Sequence, residues 1–231
     1  MGRYRHMNTP TDSLSRSGKR QTLSEQVYEQ LKDDIIHHRI GFGEKLVNRE
    51  LQKRFGVSST PVRDAINHLQ LDGLLDEITN VGARVVSFDL HFTRELNELV
   101  LLLNLGAMDL IIQNDRLCEL TAALEEIYAE WDSIRCMDDY VRLDCLFHQT
   151  FFTYCGNQRL VDVYSRYHVL MEMLVRLYAG DTAQRSSCIH QHEQILKCCQ
   201  NKDVSSLRQA LRDHYTLAAD WFTAHTDTLE P

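Results

Sequence analysis

The sequence predicts a chain in two parts: a small α/β head of three helices and a β-hairpin, followed by an all-α helical bundle. Three observations carry this. Up to Gly73, apolar residues recur at helical spacing between glycine breaks. From Leu74 to Val86 two short strand-like segments flank a turn, and beyond Phe88 only the helical period remains. Charge divides the chain at the same place. Residues 1–88 hold 13 Lys and Arg against 11 Asp and Glu, a balance of +2, whereas the remainder holds 12 against 22, a balance of −10. A slightly basic head on an acidic body suits a DNA-binding module joined to a sensing or enzymatic domain, although the net charge of −8 alone argues against nucleic acid.

Residues 1–21 are polar and aperiodic, with Pro10 and Gly18, and are expected to form a disordered arm. Thr22-Leu23-Ser24-Glu25 matches a capping box, in which hydroxyl and carboxylate satisfy free helix amides reciprocally. Val27, Leu31 and Ile35 then give a first helix to about Arg39, broken by Gly41-Phe42-Gly43. Asn48 is expected to cap a short second helix that Gly56 ends. The third helix carries Val62, Ile66 and Leu69 as its apolar stripe, with Ser59 or Thr60 as cap and Pro61 in the first turn. Strands at 74–78 and 84–86, joined by Thr79-Asn80-Val81-Gly82-Ala83, complete a winged helix-turn-helix over 22–88 with Gly82 at the wing tip. Helical periodicity places six further helices near 92–114, 116–134, 138–155, 158–179, 185–200 and 203–225. The domain at 89–231 is thus an all-helical bundle able to bury its own core.

Apolar content of 43% is ordinary for a globular protein. The seven cysteines are scattered with no C-x-x-C pair, which fits a reducing compartment with thiols packed as small hydrophobes. The basic N-terminus is followed by no apolar run, and the most apolar segment, Leu96 to Ile112, is interrupted by Glu98, Asn104 and Asp109. The expectation is a cytoplasmic protein without a membrane span.

Candidate function begins at the start of the third helix. Ser58, Ser59 and Thr60 offer hydroxyls beside free amides, Pro61 opens the turn, and Arg63 supplies a cation. Such a helix end suits phosphate oxygens and groove edges. Arg49 and the Gly82 turn extend the expected DNA-binding surface. In the bundle, Asp144 and His148 stand four apart on one helix face, with His192 and His214 on later helices. One carboxylate and three imidazoles converging inside a bundle would hold a divalent transition metal. Spacing alone is a weak signal in a chain with 11 histidines, most of which on helices are solvated or hydrogen-bonded. Cys188, one turn before His192, could add a thiolate but reads more naturally as core.

The head resembles a GntR-family winged helix. The resemblance rests on Ser24-Glu25-Gln26-Val27-Tyr28, Arg49-Glu50-Leu51, Gly56-Val57-Ser58, Thr60-Pro61-Val62-Arg63-Asp64-Ala65, Asp72-Gly73-Leu74-Leu75 and Gly82-Ala83-Arg84-Val85. The body resembles the FCD effector domain of the FadR subfamily, through Asp144-Cys145-Leu146-Phe147-His148, Gly156-Asn157, His192-Glu193-Gln194-Ile195-Leu196, and Ala210 with His214. The resemblance implies a sequence-specific transcriptional regulator, in the first instance a repressor, acting as a homodimer on double-stranded operator DNA. It also implies Asp144, His148, His192 and His214 as ligands of a divalent metal, with His192 preferred to His190. Zinc or nickel is favoured and iron or manganese is compatible. A small-molecule effector, an organic or sugar acid, would complete the coordination.

Three positions depart from the family pattern. Ser59 stands where members often carry an arginine that contacts guanine, and serine cannot make that bidentate pairing, worth roughly 1–3 kcal/mol of base discrimination. Val100 and Asn104 replace an arginine and a glutamate, which removes a partner for an acidic effector, and Phe42 replaces a loop proline. The competing reading is a metal-dependent hydrolase with a vestigial DNA-binding head.

Overall fold

The fold is a computed structural model that describes residues 21–225. The arm expected over 1–21 lies outside the described residues, Gln21 excepted.

Helix α1, Leu23–Ile36, opens on the expected capping box: Thr22 Oγ1 accepts from the Glu25 amide at 3.2 Å, and Glu25 Oε2 accepts from the Thr22 amide at 2.7 Å. The helix ends three residues earlier than its periodicity suggests. His38 turns into the left-handed region (φ +53°), and the amides of Arg39 and Ile40 double back onto the Asp34 carbonyl. This turn is tied by charge. Asp34 is 3% exposed, and the guanidiniums of Arg39 and Arg54 converge on its carboxylate.

A short strand absent from the sequence reading, β1 (Lys45–Val47), precedes α2 (Asn48–Phe55). Three residues are too few for alternation to show. The N-cap of α2 is Val47, without a side-chain cap, and not Asn48. The Asn48 amide instead reaches the Asn80 carbonyl at 3.3 Å. Gly56 closes α2 at φ +63°, as expected. Helix α3, Ser59–Leu71, follows from Ser58, which occupies the N-cap without a side-chain cap hydrogen bond; neither Ser59 nor Thr60 is the cap. Val62, Ala65, Ile66 and Leu69 form its buried face, which packs chiefly on α1.

Strands β2 (Leu75–Ile78) and β3 (Gly82–Val85) form the wing, and the sheet runs β1-β3-β2, antiparallel throughout. Gly82 is not the tip. It is buried in β3 opposite Val47, where a Cβ would lie 2.0 Å from the Leu46 carbonyl oxygen, so only glycine lets these strands pair. Val81 stands at the tip, in a turn held by Thr79, whose hydroxyl accepts from the Val81 and Gly82 amides.

The bundle comprises α4 (Leu90–Gln113), α5 (Leu117–Ala129), α6 (Met137–Tyr154), α7 (Gln158–Ala179), α8 (Thr182–Gln200) and α9 (Val204–Ala224). Its main differences from expectation are local. After α5, residues Trp131–Ser133 tighten into a 3₁₀ turn that buries Trp131. Helix α8 starts three residues early because Asp181, which lies in the gap expected between helices at 180–184, is its N-cap and accepts from Ala183 and Gln184 amides. Helix α6 is the most central, with ten buried residues, and packs on α4, α5 and α7. Head and body meet at α7. Gly73, at φ +74° after α3, sits where a Cβ would come within 3.0 Å of Leu170 Cδ1. Nearby, the Tyr28 hydroxyl donates to Asp72 at 2.5 Å and ties α1 to the end of α3.

Candidate functional site

The head presents its polar side chains outward. Ser58, Ser59, Thr60 and Arg63 are exposed around the first turns of α3, Pro61 is half-buried, and Arg49 is exposed in the first turn of α2. Arg49 and Arg63 have no ion pair or hydrogen bond among the described residues. Arg54 and Arg84, by contrast, are engaged by Asp34 and by the Gly43 carbonyl. Hydroxyls and the free cation of Arg63 therefore gather at the start of α3, where its unsatisfied amides also point, and Arg49 is free at the start of α2. This surface can take hold of phosphates; beside it Val81 stands at the wing tip, and Gly82 is buried within β3.

The bundle does the opposite and gathers polar side chains inward. Asp144 and His148 on α6, His192 on α8 and His214 on α9 are all at least 94% buried. His148 Nε2 lies 3.0 Å from His214 Nε2 and 3.1 Å from His192 Nε2, and Asp144 Oδ1 lies 3.8 Å from His192 Nε2. The structure brings all four sequence-selected residues together. His190, by contrast, is exposed and faces Glu193 at 3.5 Å.

A neighbouring acceptor fixes the proton on one of the three rings. His214 Nδ1 lies 3.1 Å from Gln191 Oε1, a pure acceptor, so its proton sits on Nδ1 and its Nε2 presents a lone pair. His148 Nδ1 lies 3.4 Å from the Tyr215 hydroxyl, whose oxygen also accepts from Asn104 Nδ2 at 2.8 Å. His192 Nδ1 is buried with no partner among the described residues. With the proton on Nδ1 of each ring, the three Nε2 lone pairs converge at about 3 Å, an arrangement that a cation among them would relieve. Burial pushes all three imidazoles below their ordinary range, His214 to about 4, so at neutral pH they are unprotonated donors. Burial pushes the Asp144 carboxyl up to about 7, against the opposing hydrogen bonds of Tyr140 and Tyr178. Neutral imidazoles with a carboxylate close to ionisation fit a divalent transition metal. The adjoining cavity measures about 20 Å³, room for one water or ion, and Met171, Leu174, Val175 and Phe222 form its apolar wall. Cys188 is buried close by, but burial holds its thiol up at about 12, neutral and a poor ligand.

Sequence reasoning missed Gln191 and Tyr215, which orient the rings, and read Asn104 only as a departure from the family pattern. Gln191 bonds a histidine 23 residues away and Asn104 a tyrosine 111 away, so no local spacing reports them. Tyr140 left a signal, since it lies one helical turn before Asp144 and meets it at 3.4 Å.

Comparison with known proteins assigns these two surfaces to one architecture. Residues 23–85 match the bacterial regulatory proteins of the gntR family, and residues 95–217, more than half the chain, match the FCD domain. The chain belongs to the GntR family of FCD-domain regulators. It is a metabolite-responsive, DNA-binding transcriptional regulator. Among relatives of this GntR protein, the HTH-type transcriptional regulator YdhC of Bacillus subtilis is 26% identical over 194 residues, covering 82% of this chain and 86% of the relative. The HTH-type transcriptional repressor RspR of Escherichia coli K12 is 24% identical over 200 residues, covering 84% and 86%. The fold is shared with E. coli McbR/YncC (TM-score 0.65, 20% identity, 89% of this chain and 99% of that one). It is also shared with a GntR regulator from Rhodococcus sp. RHA1 (TM-score 0.64, 17% identity, 87% and 98%). No described helix is long and apolar enough to cross a membrane.

Proposed function

We propose that this regulator is a homodimeric repressor whose hold on a near-palindromic operator is set by a metal-centred effector site. Asp144, His148, His192 and His214 hold the ion, and zinc or nickel suits the donor set best, with iron or manganese compatible. The metal would supply a Lewis-acidic centre on which one oxygen of a small organic or sugar acid settles. The observation that carries this reading is the convergence of three buried imidazole Nε2 atoms beside Asp144, in a bundle joined to a winged helix. On the DNA side, Arg49, Ser58, Ser59, Thr60, Pro61 and Arg63 form the contact surface, with Gly82 acting through the shape of the wing. Two such heads related by a two-fold axis match two half-sites. The repressor RspR supports the sign of regulation.

Helix α7 offers a physical route between the two functions. Met171, Leu174, Val175 and Tyr178 line the cavity beside the histidines, and Leu170 of the same helix abuts Gly73 at the end of α3. A cavity of about 20 Å³ must widen to admit an organic acid, and widening displaces α7. An effector that binds the widened state better shifts the population of the recognition helices. The reading is regulatory and not enzymatic.

The test combines metal analysis of the purified protein with a thermal-shift panel of organic and sugar acids and gel retardation on its own upstream DNA. Bound metal, acid-dependent stabilisation lost in Asp144→Ala, and acid-dependent release of DNA are expected. Metal-free protein that neither responds to any acid nor binds that DNA above random duplex would sink the reading. Arg63→Ala is expected to weaken binding on every duplex by on the order of tenfold or more, since it removes a charge-assisted contact.

A further inference from the structure

Away from the histidines, the cavity in the bundle is walled by hydrocarbon. Met171, Leu174 and Val175 share one face of α7, and Ala218 and Phe222, four apart on α9, supply a second apolar face. No lysine or arginine lines the space. We propose that the effector is a monocarboxylic acid with a short hydrocarbon tail, its carboxylate at the metal and its tail packed between α7 and α9. The same lining turns away dicarboxylic and polyhydroxylated acids. The proposal rests on the reading of this site as a metal-centred effector site and narrows its ligand.

Charge supplies the first argument. Asp144 is the only residue of the lining ionised at high pH as a carboxylate, and no cationic side chain accompanies it. An acid therefore has the ion alone to meet, and a second carboxylate would be buried without a partner, at a cost that cancels binding. Arg176, which follows Val175 in the chain, is committed elsewhere: its guanidinium donates to Asp138 at 2.6 Å and to Glu172 at 3.0 Å.

The second argument is the shortage of free hydrogen-bonding groups. Asn97 Nδ2 donates to the Tyr215 carbonyl at 2.8 Å, and the Tyr215 hydroxyl accepts from Asn104 and faces His148. The Tyr178 hydroxyl is bonded to Asp144. Asn97 Oδ1 remains, with no donor among the described residues, and offers a place for one ligand hydroxyl. The several hydroxyls of a sugar acid would be buried unpaired, each at a penalty.

Access gives the third argument. Met171 is half-buried, whereas the other residues of the lining are buried, so the mouth of the cavity lies at Met171. Its unbranched thioether can swing aside and repack against an incoming chain. A space of about 20 Å³ can thus widen without any polar group losing its partner. Met171 also adjoins Leu170, the residue that abuts Gly73, so a tail lodged there presses on α7 at the level where the head rests.

The test is a thermal-shift and gel-retardation series on the full-length, zinc-loaded protein with acetate, propionate, butyrate, hexanoate, succinate and gluconate in turn. From acetate to hexanoate, apparent affinity is expected to rise roughly three- to fourfold per methylene, the worth of a buried CH₂, and release of DNA should follow the same order. Succinate and gluconate are expected to act no more strongly than acetate. Met171→Lys, at the half-buried mouth, is expected to invert the preference, improving succinate on the order of tenfold through a charge-assisted contact and weakening hexanoate. Two results on the wild type would overturn the proposal, whatever the folding of the variant: succinate or gluconate stabilising more than hexanoate, or monocarboxylates acting equally at every length. If none of the six acids stabilises the zinc-loaded protein, the effector reading itself fails and the proposal falls with it.

Discussion

Two aspartates, one in each half of the molecule, are almost equally buried and behave in opposite ways. Asp34 in the head is 3% exposed and Asp144 in the body 1%. For Asp34 burial opposes ionisation, but the Arg39 and Arg54 guanidiniums outweigh it and hold the carboxyl below its ordinary range. For Asp144 burial prevails and the carboxyl rises to about 7, because its neighbours offer hydroxyls and imidazoles but no cation. A buried carboxylate is stable when a counter-charge accompanies it. The head carries that counter-charge in its own sequence and keeps its chemistry on the surface. On the proposed reading, the ion held by Asp144 and the three histidines supplies the counter-charge that the body's core lacks.

Removing the metal should break this contrast most strongly. At a metal concentration a thousandfold above Kd, binding to the native state alone contributes about 4 kcal/mol. For a chain of this size that corresponds to roughly 8–16 °C in melting temperature. Chelation is expected to produce a fall of that order, reversed by zinc or nickel, and His192→Ala should show no response to either treatment. Equal melting curves with and without chelator would mean that Asp144 and the histidines are satisfied without an ion.

The salt-linked turn in the head should give a smaller effect with a defined pH signature. Asp34→Asn is expected to cost about 1–2 kcal/mol at neutral pH, discounted because both arginines are half exposed. The folded-state pKa of Asp34 is lowered. Its contribution is therefore present above the ordinary carboxylate pKa and lost as pH falls through that value towards the folded one. Melting temperatures of wild type and Asp34→Asn, followed from about pH 7 to about pH 3, should converge on the acid side. Curves that stay parallel would show that Asp34 is not held ionised by the two arginines.

The same contrast explains what the sequence could disclose. The start at Thr22 and Glu25 was legible because the capping box is a local four-residue pattern, whereas Asn48 was misread because it turns to the wing, and the lone local cap Asp181 passed for a break. The recognition helix was legible because its apolar stripe is periodic and its exposed residues are contiguous. Strand β1 was not, because only its pairing with β3 defines it. In the body, the Asp144–His148 pair shows as an i, i+4 spacing. Its meeting with His192 and His214, however, depends on α6, α8 and α9 packing together, and the family resemblance supplied what spacing could not. The residues that orient the rings stayed invisible for the same reason: Asn104 and Tyr215 are joined across α4 and α9.

The finest division between fold and function lies within the head, in two hydroxyls at equivalent helix positions. Thr22 and Ser58 both occupy N-caps with extended backbones. Thr22 is consumed by its capping box, whereas Ser58 is exposed, makes no cap hydrogen bond and leaves its hydroxyl at the free amides of α3. Thr22→Ala is therefore expected to cost about 1 kcal/mol of stability, the usual worth of a cap, and to leave DNA affinity unaltered at temperatures where the head is folded. Ser58→Ala should do the reverse: an unchanged melting temperature, with operator binding weakened a few-fold by loss of one hydroxyl contact. Chemical denaturation and gel retardation on both variants separate the two effects. If Ser58→Ala destabilises the head as much as Thr22→Ala does, its hydroxyl is engaged in capping in solution and is not held free for a phosphate.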